Sequence, residues 1–204
     1  MKTELFTHGY DNQNEDYCIV TKQNGGTIVV MADGMGGLSL GKEAAQCVCD
    51  SIRDYLGKNI DAEDMWQKAF TYADKELRQL SLAYHSNMGA AVTAMMLFND
   101  HFEVAWQGNV RLYISSNNEL LQITTDHVMN DGYGHKLLTR CLKGCGLRDN
   151  VPHIISPLQE GDTLYLCTDG FYDVLATETA YGKFPSVPDE GRFNDDATCL
   201  TIKY

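Results

Sequence analysis

The chain has 204 residues, 44% of them hydrophobic, and a formal net charge of -12. That length suits one large domain or two small ones, and the composition excludes a disordered chain. The negative balance excludes a general nucleic-acid binder, because phosphates would be repelled.

Seven cysteines are present, an odd number with no pairing of CxxC motifs. They argue against a zinc framework and read as reduced thiols of a cytoplasmic protein. The start, Met1-Lys2-Thr3-Glu4, lacks the apolar core of a signal peptide. No apolar run approaches the ~18 residues of a spanning helix, so no membrane partner is expected.

Residues 1 to 13 read as polar and turn-like. Asn14-Glu15-Asp16 then leads at once into Tyr17-Cys18-Ile19-Val20, so two acids open a strand. Asn24-Gly25-Gly26 reads as a hairpin turn. The next stretch, Ile28-Val29-Val30-Met31-Ala32, is a buried strand running straight into Asp33 and a turn with glycines at 34, 36 and 37. Glycine tolerates backbone angles that other residues resist and so ends the strand. A carboxylate at that junction is held rigidly yet exposed, as a hard divalent cation requires.

A helical pattern follows, with Ala44, Ala45, Val48, Ile52, Tyr55 and Leu56 on one face, Ser39 as N-cap and Gly57 as terminator. A second helix is expected from Asp61 to about Leu82, with Asp61 and Asp64 at its start and Trp66, Ala69, Phe70, Ala73, Leu77 and Leu80 as its buried stripe. Both helices read as scaffold.

From Met88 the period becomes two. Ala91 to Phe98 is a strand buried on both faces, Phe102-Val104-Trp106 alternate in the next, and Leu112 to Ile114 and Leu120 to Thr124 flank a turn at Ser115 to Asn118. Short strands joined by tight turns argue for antiparallel sheet. A short helix is expected around His135 to Leu142. The turn Gln159 to Asp162 precedes the strand Thr163 to Thr168, which runs into Asp169-Gly170. Residues 176 to 194, with Gly182, Pro185, Pro188 and Gly191, read as loop. Asp195-Asp196 opens a last alternating strand. With no repeat or linker, one domain over residues 1–204 is the simplest account.

Two strands thus end in Asp-Gly, at Asp33 and Asp169, and two begin after acids, at Glu15-Asp16 and Asp195-Asp196. In antiparallel neighbours the end of one strand lies beside the start of the next, so all four clusters can share one rim. Crowded carboxylates must protonate or bind cations. All-oxygen ligands select magnesium, manganese or calcium over zinc.

These residues resemble the type 2C metal-dependent serine/threonine protein phosphatases in their bacterial form, in the right order over nearly the whole chain. Asn14-Glu15-Asp16, Ala32-Asp33-Gly34-Met35-Gly36-Gly37, Gly89 to Ala94, Gly108-Asn109-Val110-Arg111, Thr125-Asp126-His127, Leu138-Thr139-Arg140, Asp169-Gly170 with Asp173, and Asp195-Asp196-Ala197-Thr198 carry the likeness. The resemblance implies an α+β fold, a four-layer α-β-β-α sandwich of two antiparallel sheets flanked by helices. It implies two divalent ions per chain, Mg2+ or Mn2+, with Asp33 bridging, Glu15 and the Gly34 carbonyl on one ion and Asp169 and Asp195 on the other. Asp16 would bind metal-bound water, and Asp33, Asp169 and Asp16 would be the catalytic acids. The implied reaction is hydrolysis of phosphoserine and phosphothreonine in proteins by water activated between the metals. A cognate serine/threonine kinase is the implied partner.

Three positions depart from the family pattern. The arginine expected to grip the substrate phosphate is replaced by Asp11, leaving Arg140, Lys143, Lys136 and Arg111 as candidates, with Arg140 and Lys143 preferred. The aspartate associated with a third, weaker metal is Asn109, so two metals are expected. Position 35 is Met, so water, or His127 through solvent, would protonate the leaving group. The stretch between His127 and Leu138 is short, which should relax peptide specificity. The departures at Asp11 and Asn109 motivate an alternative, a catalytically weak or silent binding module. A metal-dependent phosphodiesterase is a third reading, disfavoured by charge.

Overall fold

A computed structural model describes residues 1–10, 14–23, 25–35, 40–60, 62–117, 119–133, 136–179 and 193–204, with backbone alone over 175–179. Two five-stranded antiparallel sheets form its centre. The first comprises, in spatial order, β1 (Lys2–His8), β12 (Ala197–Lys203), β11 (Thr163–Cys167), β6 (Arg111–Ser116) and β7 (Glu119–Gln122). The second comprises β10 (His153–Pro157), β5 (His101–Gln107), β4 (Ala90–Leu97), β3 (Gly26–Gly34) and β2 (Asp16–Gln23). A small hairpin, β8 (Val128–Asn130) with β9 (Lys136–Leu138), stands apart from both.

Alternation along the strands builds the layers. In β3, Val29 and Met31 face the other sheet and pack with Leu112, Leu164, Leu166 and Leu200. Ile28, Val30 and Ala32 point the other way, against α1 (Gly41–Leu56) and α2 (Met65–Tyr84). The outer face of the first sheet is covered by α3 (Asp169–Thr179), whose Phe171 and Tyr172 pack with Tyr113, Cys167 and Cys199. The result is the expected α-β-β-α order. β4 is buried at every position, which is why it reads as a continuous apolar run.

Several local expectations are corrected. Residues 2–8 are not turn-like: β1 is an edge strand paired with β12 from Lys2↔Lys203 to His8↔Ala197. Its polar face is exposed, so the period-2 signal is faint and the pairing comes from β12. The helix expected around His135 to Leu142 is absent from the described part of that span: Lys136–Leu138 is a strand, and Leu142 makes an isolated bridge to Ala90. The span expected as loop begins too early, because α3 extends to Thr179.

The first cap of α1 is Leu40, in the left-handed region at φ 64 and without a side-chain capping bond. Gly57 ends that helix at φ -61, an ordinary right-handed angle. α2 starts after Asp64, which makes no capping bond. The expectations placed on Asp11, Asn24, Gly36, Gly37, Ser39, Asp61, Asn118, His135, Gly182, Pro185, Pro188 and Gly191 lie outside the described residues.

All seven cysteines are free. Burial pushes the Cys18 thiol up to about 12 and also raises Cys49 and Cys167 well above the usual thiol range, so these side chains are packing groups.

Candidate active site

Strand register delivers the acids. Asp33 lies two residues beyond Met31 and therefore faces the opposing sheet, as Val29 and Met31 do. Asp16 is its direct cross-strand partner and shares that face. From the opposing sheet, β11 leads to Asp169 and β12 begins after Asp195-Asp196 at the same end, because Cys167 pairs with Cys199. Asp33 and Asp169 come within hydrogen-bonding reach across the gap between sheets.

The glycines after the two aspartates have a role other than turn-making. Neither Gly34 nor Gly170 has a positive φ. A Cβ on Gly34 would lie 2.2 Å from the Gly41 carbonyl oxygen, and one on Gly170 would lie 2.2 Å from the Asp196 carbonyl oxygen. They are clearance residues that let distant segments close on the acids. At Gly34 the need is therefore space against Gly41, and not the backbone freedom that glycine at a strand end suggests.

Each carboxylate has a distinct setting. Asp16 is 7% exposed; its Oδ2 accepts a bond from Thr168 Oγ1 at 2.8 Å, and its Oδ1 has no partner. Burial drives its carboxyl up to about 7, opposed by bonds from Thr198 and Thr168 and reinforced by the charges of Asp196 and Asp169. Burial and then the charges of Asp16 and Asp169 push Asp33 well above the usual carboxylate range. Burial also raises Glu15, helped by Asp196, Asp195 and Glu43 and opposed by the Gly41 N–H at the start of α1. Asp195 is raised by burial against a bond from the Asp196 N–H. Asp169 Oδ2 accepts from Asn109 Nδ2 at 2.8 Å.

The adjacent acids at 195 and 196 divide their work. Asp196 accepts the Glu15 N–H at 2.7 Å and the Tyr10 N–H at 2.8 Å, so it ties the start of β2 to the start of β12. Asp195 is left exposed at the rim.

Glu15, Asp33, Gly34, Asp169 and Asp195 all line one open cavity of about 1070 Å³. Among the described residues no three acids are already closed into a finished metal site; they surround space instead. The donor chemistry fits divalent cations nonetheless. The donors are oxygens, and neither Lys nor Arg pairs with Asp16, Asp33 or Asp169 among the described contacts. Asp33 and Asp169 can stand side by side only with a proton or a cation between them. The orphaned Asp16 Oδ1 is the unsatisfied acceptor such a site leaves for a ligand.

A family profile described as Protein phosphatase 2C matches residues 8–189. The chain belongs to that family. The serine/threonine phosphatase stp of Listeria welshimeri is 28% identical, covering 72% of this chain and 68% of its own. The serine/threonine phosphatase Stp1 from Staphylococcus aureus superposes with a TM-score of 0.82 at 20% identity, over 100% of this chain and 94% of that one. The catalytic domain of the phosphatase PstP, solved in complex with 2 manganese ions, gives 0.79 at 20% identity, over 98% and 96%.

In this protein phosphatase 2C chain the candidate cations separate by position. Lys143 and Lys136 line the cavity; Arg140 does not, and it pairs with Asp149 at 3.1 Å. Lys136 pairs with Asp173 of α3 at 3.0 Å. Arg111 is held by Asp126, with NH2 to Oδ2 at 2.6 Å, and lies 3.7 Å over the Tyr172 ring, which makes it structural. His127 accepts the Gly108 N–H and stacks near Trp106, burial lowers its pKa, and it does not line the cavity.

Sequence reasoning missed Thr168, Asn109 as a donor to Asp169, and Gly41. A Cβ on Gly41 would lie 2.6 Å from Glu15 Oε2. A lone Thr after a strand or a Gly opening a helix carries no signal of the acid it serves.

Proposed function

We propose that the chain is a metal-dependent phosphoprotein phosphatase that hydrolyses phosphoserine and phosphothreonine. The observation that carries this reading is the gathering of Glu15, Asp33, Asp169 and Asp195 around one cavity that also holds Lys143. Two divalent ions, Mg2+ or Mn2+, would supply an acidified water and neutralise charge developing on the phosphoryl oxygens. Glu15 and the Gly34 carbonyl would hold one, Asp169 and Asp195 the other, and Asp33 both.

The chain's own groups do the rest. Asp16, fixed through Oδ2 by Thr168, keeps Oδ1 for orienting water. Lys143 meets the substrate phosphate in place of the arginine that Asp11 replaces. Arg140, committed to Asp149, is not assigned that role. Residues 1–204 act as one catalytic unit on phosphoproteins in the cytoplasm, opposite a serine/threonine kinase. Among the described residues no helix is long and apolar enough to cross a membrane.

The test is hydrolysis of a phosphothreonine peptide with Mn2+, expected to be lost in Asp33→Asn. Metal binding without turnover in the unmodified chain would favour the silent binding module instead, the reading that Asn109 motivates.

A further inference from the structure

The helices cover the second sheet unevenly. The helix-side core takes residues from β3 and β4, only Ala105 from β5, and none from β10. Beyond that edge lies a second cavity of about 580 Å³ that shares no lining residue with the first. Trp66, Phe98 and Ile155 provide its apolar walls, Glu103 and Asp64 its carboxylates and His153 an imidazole, and among the described residues no Lys or Arg lines it.

Glu103 is preset. Trp66 Nε1 donates to its Oε2 at 3.0 Å, while among the described residues Oε1 has only the His101 Nε2 at 4.0 Å. The carboxylate is thus oriented with one oxygen open to a donor. Asp64 makes no side-chain capping bond to α2.

The adjoining strand, β10, is at the end of its sheet and among the described residues pairs only with β5. Ile154 is 36% and Ile155 62% exposed. Ile155 is the cross-strand partner of Glu103 and so faces the cavity; Ile154 faces the opposite way. An unpaired strand edge with exposed isoleucines is a template for another strand.

We propose that this edge binds an extended polypeptide segment of a partner protein in which basic and β-branched residues alternate. Its backbone adds to β10. Its basic side chains reach Glu103 and Asp64 beside the Trp66 ring, and its apolar side chains cover Ile154 on the other face. The alternation follows from the period of two along any added strand. The complementarity is electrostatic, since the groove presents two carboxylates and, among the described residues, no lysine or arginine.

The probe is acetyl-Val-Arg-Val-Arg-Val-amide, titrated into the full chain by calorimetry and by tryptophan fluorescence. Saturable binding at one peptide per chain is expected, and none for the peptide with Glu in place of Arg. Glu103→Gln keeps an acceptor for Trp66 Nε1 and should weaken binding about tenfold. Ile155→Lys, at an exposed position, should abolish it, and both variants should hydrolyse a phosphothreonine peptide as the unmodified chain does. Equal affinity for the Glu peptide, insensitivity to both variants, or no saturation at millimolar peptide overturns the proposal. Sedimentation showing a dimer that Ile155→Lys dissociates, with no peptide bound, assigns the edge to a second copy and also overturns it.

Discussion

The floor and the rim of the active-site cavity are built by different means. Asp33 lines the cavity and its buried cross-strand partner Asp16 lies behind the lining; the two sit on paired strands, and their relative position is set by the β2–β3 register. Lys143 and Asp195 stand on connecting segments; the Lys143 loop is pinned from below by the buried Asp74, whose Oδ1 accepts the Lys143 and Gly144 N–H groups at 3.1 and 2.8 Å. A strand register admits no small adjustment, because a slip of one residue would turn one of the two acids to the helix side and part the pair. A loop held by a few hydrogen bonds can be retuned. The difference teaches where the chemistry tolerates change: cation placement would depend on the floor together with Asp195, and substrate grip on Lys143.

The floor should therefore give the largest effects. Asp33→Asn should lower kcat by about a thousandfold or more, since it removes the central charge of the cluster. A variant retaining most activity with Mn2+ would break the distinction between floor and rim.

Gly170→Ala tests how the rim is brought to the floor. Its Cβ would press on the Asp196 backbone at 2.2 Å and lie 3.1 Å from the Asp195 Cβ. A cost of about 2–3 kcal/mol is expected, seen as a fall of roughly 5–10 °C in Tm. Divalent affinity should fall with it, because Asp195 is pushed away from Asp169.

That glycine also shows what could be read from the chain beforehand. The acids were legible because they sit at strand ends, where a buried apolar run meets a carboxylate. The reason for their glycines was not. Clearance at Gly34 depends on Gly41 in the next helix, and at Gly170 on Asp196 in another strand. β4 was legible because burial on both faces leaves an unbroken apolar run. β1 was not, because its Lys2, Thr3, Glu4 and Leu5 are all exposed and its order comes from β12. The start of α3 was hidden because Asp169-Gly170 imitates a turn; in fact the Thr168 carbonyl accepts the Phe171 and Tyr172 N–H groups and opens a helix.

On the rim, Lys143→Ala should raise KM for a phosphopeptide about tenfold while kcat changes less than about threefold, and Lys143→Arg should restore KM. Arg140→Ala, which loses only a partly exposed pair with Asp149, should stay within about twofold. The opposite ranking would move the phosphate grip to Arg140.

Titration separates the two regions further. Asp16, raised to about 7 in the fold, binds more protons folded than unfolded between its ordinary value near 3.8 and 7. The stability of the chelator-treated protein should therefore fall as pH rises through that window, and Asp33 adds in the same direction. Mn2+ binds the ionised form, so its stabilisation should be larger at pH 8 than at pH 5, as thermal denaturation would show. Equal stabilisation at both pH values would mean that the floor is not where the cation binds.

Another small effect on rate is expected at the boundary between floor and rim. Asn109 is 6% exposed, donates to Asp169 Oδ2, and has its backbone carbonyl held by the Tyr172 hydroxyl at 3.0 Å. The amide occupies one oxygen of Asp169 without adding charge. Asn109→Asp removes that donor and places a second carboxylate at the same distance. Two such groups must share a proton or take up a cation. Near neutral pH with Mn2+ in solution, the cation should win, so calorimetry should find a third, weaker binding event beyond the two of the unmodified chain. In chelator the variant should melt earlier, because the added charge is unpaired. Turnover should change less than about threefold, since Asp33 and the strand register beneath it are untouched. A third event already present with Asn109 would mean that the neutral amide does not limit the site, and that the floor admits more charge than its own carboxylates imply.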